Sequence, residues 1–220
     1  MEQATTERQQ GRFGLRQKTP IAERVGELRS RAKKDPDGAR EETWSWFKQL
    51  GKERDEDTLN ELFAQGKSPK DLDGPTDGIL VVPLIQGVLD QGLSLITSIW
   101  MPWSGKRFDA ANDRGDNLLA ESAHWPAKLL WPRYSTKEID EGGRAAFDFN
   151  TYIEPGKHDP KTDVLVIDYA PVSDNPDLLI RKIRDELVEV AAGAYLGKIL
   201  YRTGADDYRN LGFFALRPER

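Results

Sequence analysis

The densest group of side chains able to do chemistry is Trp103-Ser104-Gly105-Lys106-Arg107-Phe108. A glycine inside a strand permits a sharp bend or a close backbone approach. An ammonium flanked by rings could then meet the carboxylate or other polar end of a ligand whose apolar part lies on Trp100 or Trp103. The plainer meaning of such a segment is a glycine-kinked strand with a solvated lysine and core aromatics. Asp168 ends the apolar run 163–169, in which Val164, Val166 and Asp168 alternate with Leu165, Ile167 and Tyr169. Both faces are apolar until the end, so this strand should be covered on both sides. An acid there could act as a general acid or base tuned by burial, cap a turn, or pair with Arg181 or Arg184. Tyr169 and Tyr195 complete the candidate lining of an interior, with Lys106 or Arg184 at its polar end.

Much chemistry is excluded. The chain has no Cys, which removes thiolate catalysis, disulfides and cysteine-based metal sites. His124 and His158 are the only histidines, and two isolated imidazoles make a poor metal site. No metal or other cofactor is expected, with a haem on a single axial His124 as the one exception to keep in view. Gly105-Lys106 has neither the glycine-rich loop nor the following hydroxyl of a phosphate-binding loop. The segment 109–117 lacks the spaced oxygens and closing Glu of a calcium loop. No Gly-x-Ser-x-Gly occurs.

The charge is uneven: residues 1–40 hold ten Lys/Arg and six Asp/Glu, a net of +4, which leaves −9 for the rest of a chain of net −5. An acidic body argues against nucleic acid as a partner, since phosphate binding needs a concentrated basic surface. The longest apolar candidate, 79–99, is broken by Pro83, Gln86, Gly87, Asp90, Gln91 and Gly92, so no membrane span of roughly 18 to 20 apolar residues is present. The expectation is a cytoplasmic protein.

The elements that must position these residues begin near Glu41. Residues 1–40 read as a disordered charged tail, relieved only by Ile21, Val25 and Leu28. Trp44, Phe47 and Leu50 give one short helix face, and Leu59, Leu62 and Phe63 another, making a helical pair over 41–72. It is too small to fold alone and should lie against the sheet that follows, either on its face or as a plug at one end. From residue 73 to 220 the texture is that of one β domain. Strands are predicted at 78–84, 94–103, 107–109, 117–120, 145–153, 164–169, 194–202 and 211–216, separated by Gly, Pro, Asn and Asp clusters. The segment 82–95 also suits a helix. Leu179, Ile183, Leu187 and Val190 recur at steps of four, four and three after the capping signal 173–176, and Gly193 follows them. That pattern predicts a C-terminal helix packed on the barrel, with Arg181–Asp185 and Lys182–Glu186 as ordinary surface pairs and Arg184–Asp168 as a sharper, buried contact. The fold class is mainly β, an antiparallel barrel.

Leu62, Phe63, Pro69, Leu72, Gly74, Gly78 and then Trp103, Gly105, Lys106, Arg107 and Phe108 resemble the pattern of an uncharacterised family of small bacterial proteins named for a Gly-x-Trp-x-Gly motif. The likeness covers 61–109, and Thr76 stands where that family has its Trp. The stretch ending in Tyr195-Leu196-Gly197-Lys198 resembles lipocalin-like barrels in texture. These resemblances imply a calycin-type barrel and lend no reaction. A barrel of this size encloses at most one small ligand, so the expected function is binding of a small, mostly apolar molecule. The rival is a cofactor-independent isomerase, cyclase or lyase in which Asp168, Tyr169 or His124 moves a proton. A third possibility is a solid barrel whose surface does the work.

Overall fold

The computed structural model describes residues 20–70, 72–82, 103–119, 134, 136–139, 143–177 and 179–219. Trp100, His124 and all but Trp103 of the strand expected over 94–103 fall outside them, as does most of the 82–95 segment. Three helices lead the described chain: α1 (Ile21–Ala32), α2 (Pro36–Glu53) and α3 (Glu56–Ala64). Asp35 caps α2 by accepting from Gly38 N–H at 2.9 Å, with Pro36 in the first turn, and Asp55 caps α3 through Thr58 N–H at 3.1 Å. The expected pair over 41–72 is therefore a trio reaching back to Ile21. Val25 and Leu28 of α1 are buried, and Arg29 donates to Val190 O at 2.9 Å and Gln65 O at 2.7 Å. Two apolar contacts and a forked guanidinium hold a helix that is too charged to be stable alone.

The strands are β1 (Gly74–Val82), β2 (Trp103–Asp109), β3 (Arg114–Leu119), β4 (Lys137–Glu138), β5 (Arg144–Pro155), β6 (Asp163–Asp168), β7 (Ile183–Ala191), β8 (Ala194–Arg202) and β9 (Tyr208–Pro218). All pairings are antiparallel, and the β3–β5 and β1–β9 pairings close eight of the strands into a barrel, with the two-residue β4 flanking β5. Closure removes the sheet edges. The helices lie against the outer wall rather than plugging an end. Leu50, Leu59, Leu62 and Phe63 pack with Val81, Val188, Val190, Leu196, Phe213 and Ala215 of the strands' outward faces.

Among the described residues of 176–191 there is no α-helix. Ile180–Lys182 makes one 3-10 turn, and Ile183–Ala191 is strand β7, paired with β6 and β8 on its two sides. The helical spacing of its apolar residues arises because both faces of the strand are covered. Ile183 and Leu187 join the barrel interior, while Val188 and Val190 lie under the helices. Gly193 does adopt a left-handed conformation, but with Ala192 (φ 51° and 75°) it forms the two-residue turn of the β7–β8 hairpin, a turn type that needs positive φ at both positions. One local signal served either a helix cap or a hairpin.

Candidate functional site

The barrel interior is built from alternate residues of each strand. Most are apolar: Phe108, Phe147, Phe149, Ile167, Ile183, Leu187, Ile199 and Phe214 are all buried there. Among them stands a polar cluster. Lys106 of β2, 1% exposed, directs its ammonium to Asn117 Oδ1 at 2.8 Å, Tyr169 OH at 2.6 Å and Asp185 Oδ2 at 2.9 Å. Tyr169 OH donates to Asp185 Oδ2 at 3.0 Å and accepts from Asn117 Nδ2 at 3.2 Å. Asn117 also accepts from Trp103 Nε1 at 3.2 Å and donates to Phe147 O at 3.1 Å. The rings of Trp103, Phe149, Tyr169 and Phe214 surround the ammonium, their centroids 5.3 to 5.7 Å away, close enough for cation–π attraction.

Local sequence explains how the cluster is held. Thr76 Oγ1 donates to Lys106 O at 2.7 Å and accepts from Lys106 N–H at 3.2 Å, clamping that backbone beyond the Gly74–Phe108 and Pro75–Arg107 pairs of the β1–β2 ladder. A Cβ on Gly105 would lie 1.8 Å from Thr76 O, and one on Gly78 would lie 2.5 Å from the Trp103 ring. The two glycines let β1 and β2 approach and seat Trp103. On β5, a shift in register leaves Phe147 at φ 55°, and its N–H and C=O bond to the Tyr134 hydroxyl and the Asn117 side chain. The bulge thus re-aims backbone groups toward the cluster.

Burial sets the electrostatics. Loss of hydration pushes the Lys106 ammonium below its usual range, opposed by the adjacent Asp185 carboxylate. The Tyr169 phenol is raised well above 10, first by burial and then by Asp185. It therefore stays protonated and serves as a donor, not as a base. Beside the cluster is a small cavity lined by Trp103, Asn117, Leu119, Phe147, Tyr169, Ile180 and Ile183. Its free volume is about 310 Å³ counting the part open to solvent, but water-sized space within it is only about 10 Å³, about the room of one water.

Of the predicted site residues, the structure brings together Trp103, Lys106 and Tyr169. Tyr195 is buried in the same interior core. Asp168 and Arg184 face outward. Asp168 caps its own turn by accepting from Ala170 N–H at 2.9 Å. Arg184 sits opposite it in register, with Tyr152 OH 3.3 Å from each, and Arg184 pairs with Glu154 at 2.7 Å and Glu186 at 2.9 Å. Arg184 is thus no polar end for an interior ligand. Asp185 and Glu186, expected on a helix surface, are both fully buried. His158 lies on the exposed β5–β6 loop, 3.0 Å from Tyr208 O. Asn117 and Asp185 were missed. The signal that would have found Asp185 is an acid flanked by Ile183 and Leu187 at strand spacing.

Among the described residues, no helix is long and apolar enough to cross a membrane and no three potential metal ligands gather. No family model matches the chain and no curated protein does. A crystal structure of a protein from Thermomonospora curvata is similar, at 18% identity and a TM-score of 0.43, over 74% of this chain and 86% of that one.

Proposed function

We propose that the barrel interior binds a small, mostly apolar molecule whose polar end faces Asn117 and Tyr169. One observation carries the reading: a charged, hydrogen-bonded cluster occupies the interior beside a cavity walled by apolar and aromatic side chains. Buried ion pairs are weak stabilisers, since apolar side chains of similar volume often serve as well or better. A few convergent polar groups in an apolar pocket are, by contrast, what orients a ligand. The cavity takes only the terminal group as it stands. The rest of the molecule runs outward along Trp103, Leu119, Ile180 and Ile183. This is the carrier function expected of a small closed barrel, with Trp103, Lys106 and Tyr169 kept from the predicted set and Asn117 added.

A catalytic reading draws on Tyr169, a phenol held in its protonated form by burial at the cavity wall. It would donate a proton to a substrate oxygen or carbon. Native mass spectrometry of the purified chain, followed by tryptophan quenching with a panel of apolar compounds, tests both. A saturably bound compound recovered unchanged supports the carrier, and a converted one supports the enzyme. Absence of saturable binding across the panel refutes the pocket altogether.

A further inference from the structure

The helix layer, independent of the barrel interior, carries an open groove of about 960 Å³ where α1, α2 and α3 meet. Its floor is apolar, made by Ile21, Leu28, Trp46 and Leu50. The Arg24 guanidinium lies 3.8 Å over the Trp46 ring and so is held against that floor. The rim is acidic. Glu27, Glu42, Glu53, Asp55 and Glu61 line the groove against Arg24 and Arg31, five acids to two bases and a net of −3. Arg31 is committed to Glu42 at 2.6 Å and to Asp35 at 3.1 Å. Glu27 and Glu61 are exposed and make no ion pair among the described residues, and Glu53 is met there by the neutral Gln49 amide at 2.9 Å. The groove therefore offers a cationic, partly apolar segment both a floor and unpaired partners.

The chain carries such a segment at the groove itself. Pro20, which leads into α1, is one of the lining residues, so residues 1–19 join the molecule there. They hold Arg8, Arg12, Arg16 and Lys18 against Glu2 and Glu7, with Phe13 and Leu15 between Arg12 and Arg16. Measured from Pro20, an extended chain reaches about 17 Å by Leu15 and about 24 Å by Phe13, against roughly 18 Å for the twelve residues of α1. Both apolar side chains are thus within reach of the whole groove. Exposed ion pairs are individually weak, but covalent attachment supplies an effective concentration on the order of millimolar. That advantage favours the chain's own segment over a separate basic peptide.

We propose that residues 1–19 close this groove within the same molecule, seating Phe13 and Leu15 on the floor beside Trp46 and setting Arg12 and Arg16 against Glu27, Glu53 and Glu61.

The test uses the full chain. Because it has no Cys, Gln10→Cys accepts a single nitroxide label. In isotope-labelled protein the nitroxide should erase the amide signals of Gln49, Asp55 and Thr58 in the groove, while those of β3 and β5, away from the helices, persist. Phe13→Ser/Leu15→Ser keeps the attachment and the charge, and should restore the groove signals. Glu27→Lys/Glu61→Lys, at two exposed positions, should restore them by reversing the rim. Groove signals that never weaken overturn the inference. So does equal signal loss in either variant, which would report nearness to Pro20 rather than docking. Mixing nitroxide-labelled chains that lack the isotope with isotope-labelled chains that lack the nitroxide should leave every signal intact. Loss of the groove signals in that mixture moves the contact to a second copy and overturns docking within one molecule.

Discussion

Replacing Lys106 by Met leaves the Asp185 carboxylate at 0% exposure, with Tyr169 OH at 3.0 Å as its remaining donor and Oδ1 already without one. Replacing Asp185 by Leu strands the ammonium among four aromatic rings instead. Removing one partner of a buried pair typically costs about 3–5 kcal/mol. For a chain of this size each kcal/mol lowers the melting temperature by roughly 2–4 °C, so each single variant should melt about 6–20 °C below the wild type. The double variant is different. With Lys106 gone, Asn117 Oδ1 is released and lies 3.4 Å from Tyr169 OH, so the phenol keeps an acceptor after Asp185 is removed. No charge is left unpaired, and the double variant should lose less than about 1.5 kcal/mol, the scale of one ordinary hydrogen bond. The resulting coupling between the two sites should exceed about 3 kcal/mol, within the range measured for close, desolvated charge pairs. Urea denaturation followed by tryptophan fluorescence and circular dichroism gives the four stabilities by linear extrapolation. Single variants costing under about 1 kcal/mol, or a double variant equal to the sum of the singles, would refute the argument that this pair is buried and interdependent.

Three further outcomes are expected. Gly197→Ala puts a Cβ 2.1 Å from the ring of Phe214 inside the barrel, whereas Gly26→Ala in α1 meets nothing within 4 Å. Thermal melts should show the first destabilised by about 1–3 kcal/mol through overpacking and the second stabilised by about 0.5–1 kcal/mol through helix propensity; equal effects would contradict the wall packing. Deleting the chain through Lys34 removes the buried Val25 and Leu28 and both Arg29 bonds, and should cost about 3 kcal/mol or more of apolar burial. An unchanged melting temperature would mean that α1 does not contribute. Burial raises Tyr134 and Tyr152 to about 12 and Tyr169 well above 10. The unfolded chain thus loses these protons first, and stability falls as pH rises from about 10 toward 12. Phenolate absorbance near pH 11 should be lower in the folded chain than in guanidinium, and matching values would show these phenols to be freely hydrated.

The sequence alone determined the elements whose two faces differ. The faces of α2 and α3, through Trp44, Phe47 and Leu50 and through Leu59, Leu62 and Phe63, were legible because one side of each helix is solvated. Strand β8 was predicted at 194–202 and forms there, and the β5–β6 hairpin lies where its polar turn put it. The β-barrel class followed from these strands. What a covered element does was not legible. Strand β7 lies between a filled interior and the helix layer, so its apolar residues lost the alternation that marks a half-exposed strand and acquired a helical spacing by coincidence. The site failed for the same reason. Lys106 was visible as a lysine among aromatics, but whether it met solvent or a carboxylate depended on which strand closed the barrel opposite it. Asp185 looked like a surface acid until β7 became a strand and turned it inward. Local spacing encodes the face a residue prefers when water lies on one side; partners such as Lys106 and Asp185, on strands far apart in the chain, are chosen only when the barrel closes.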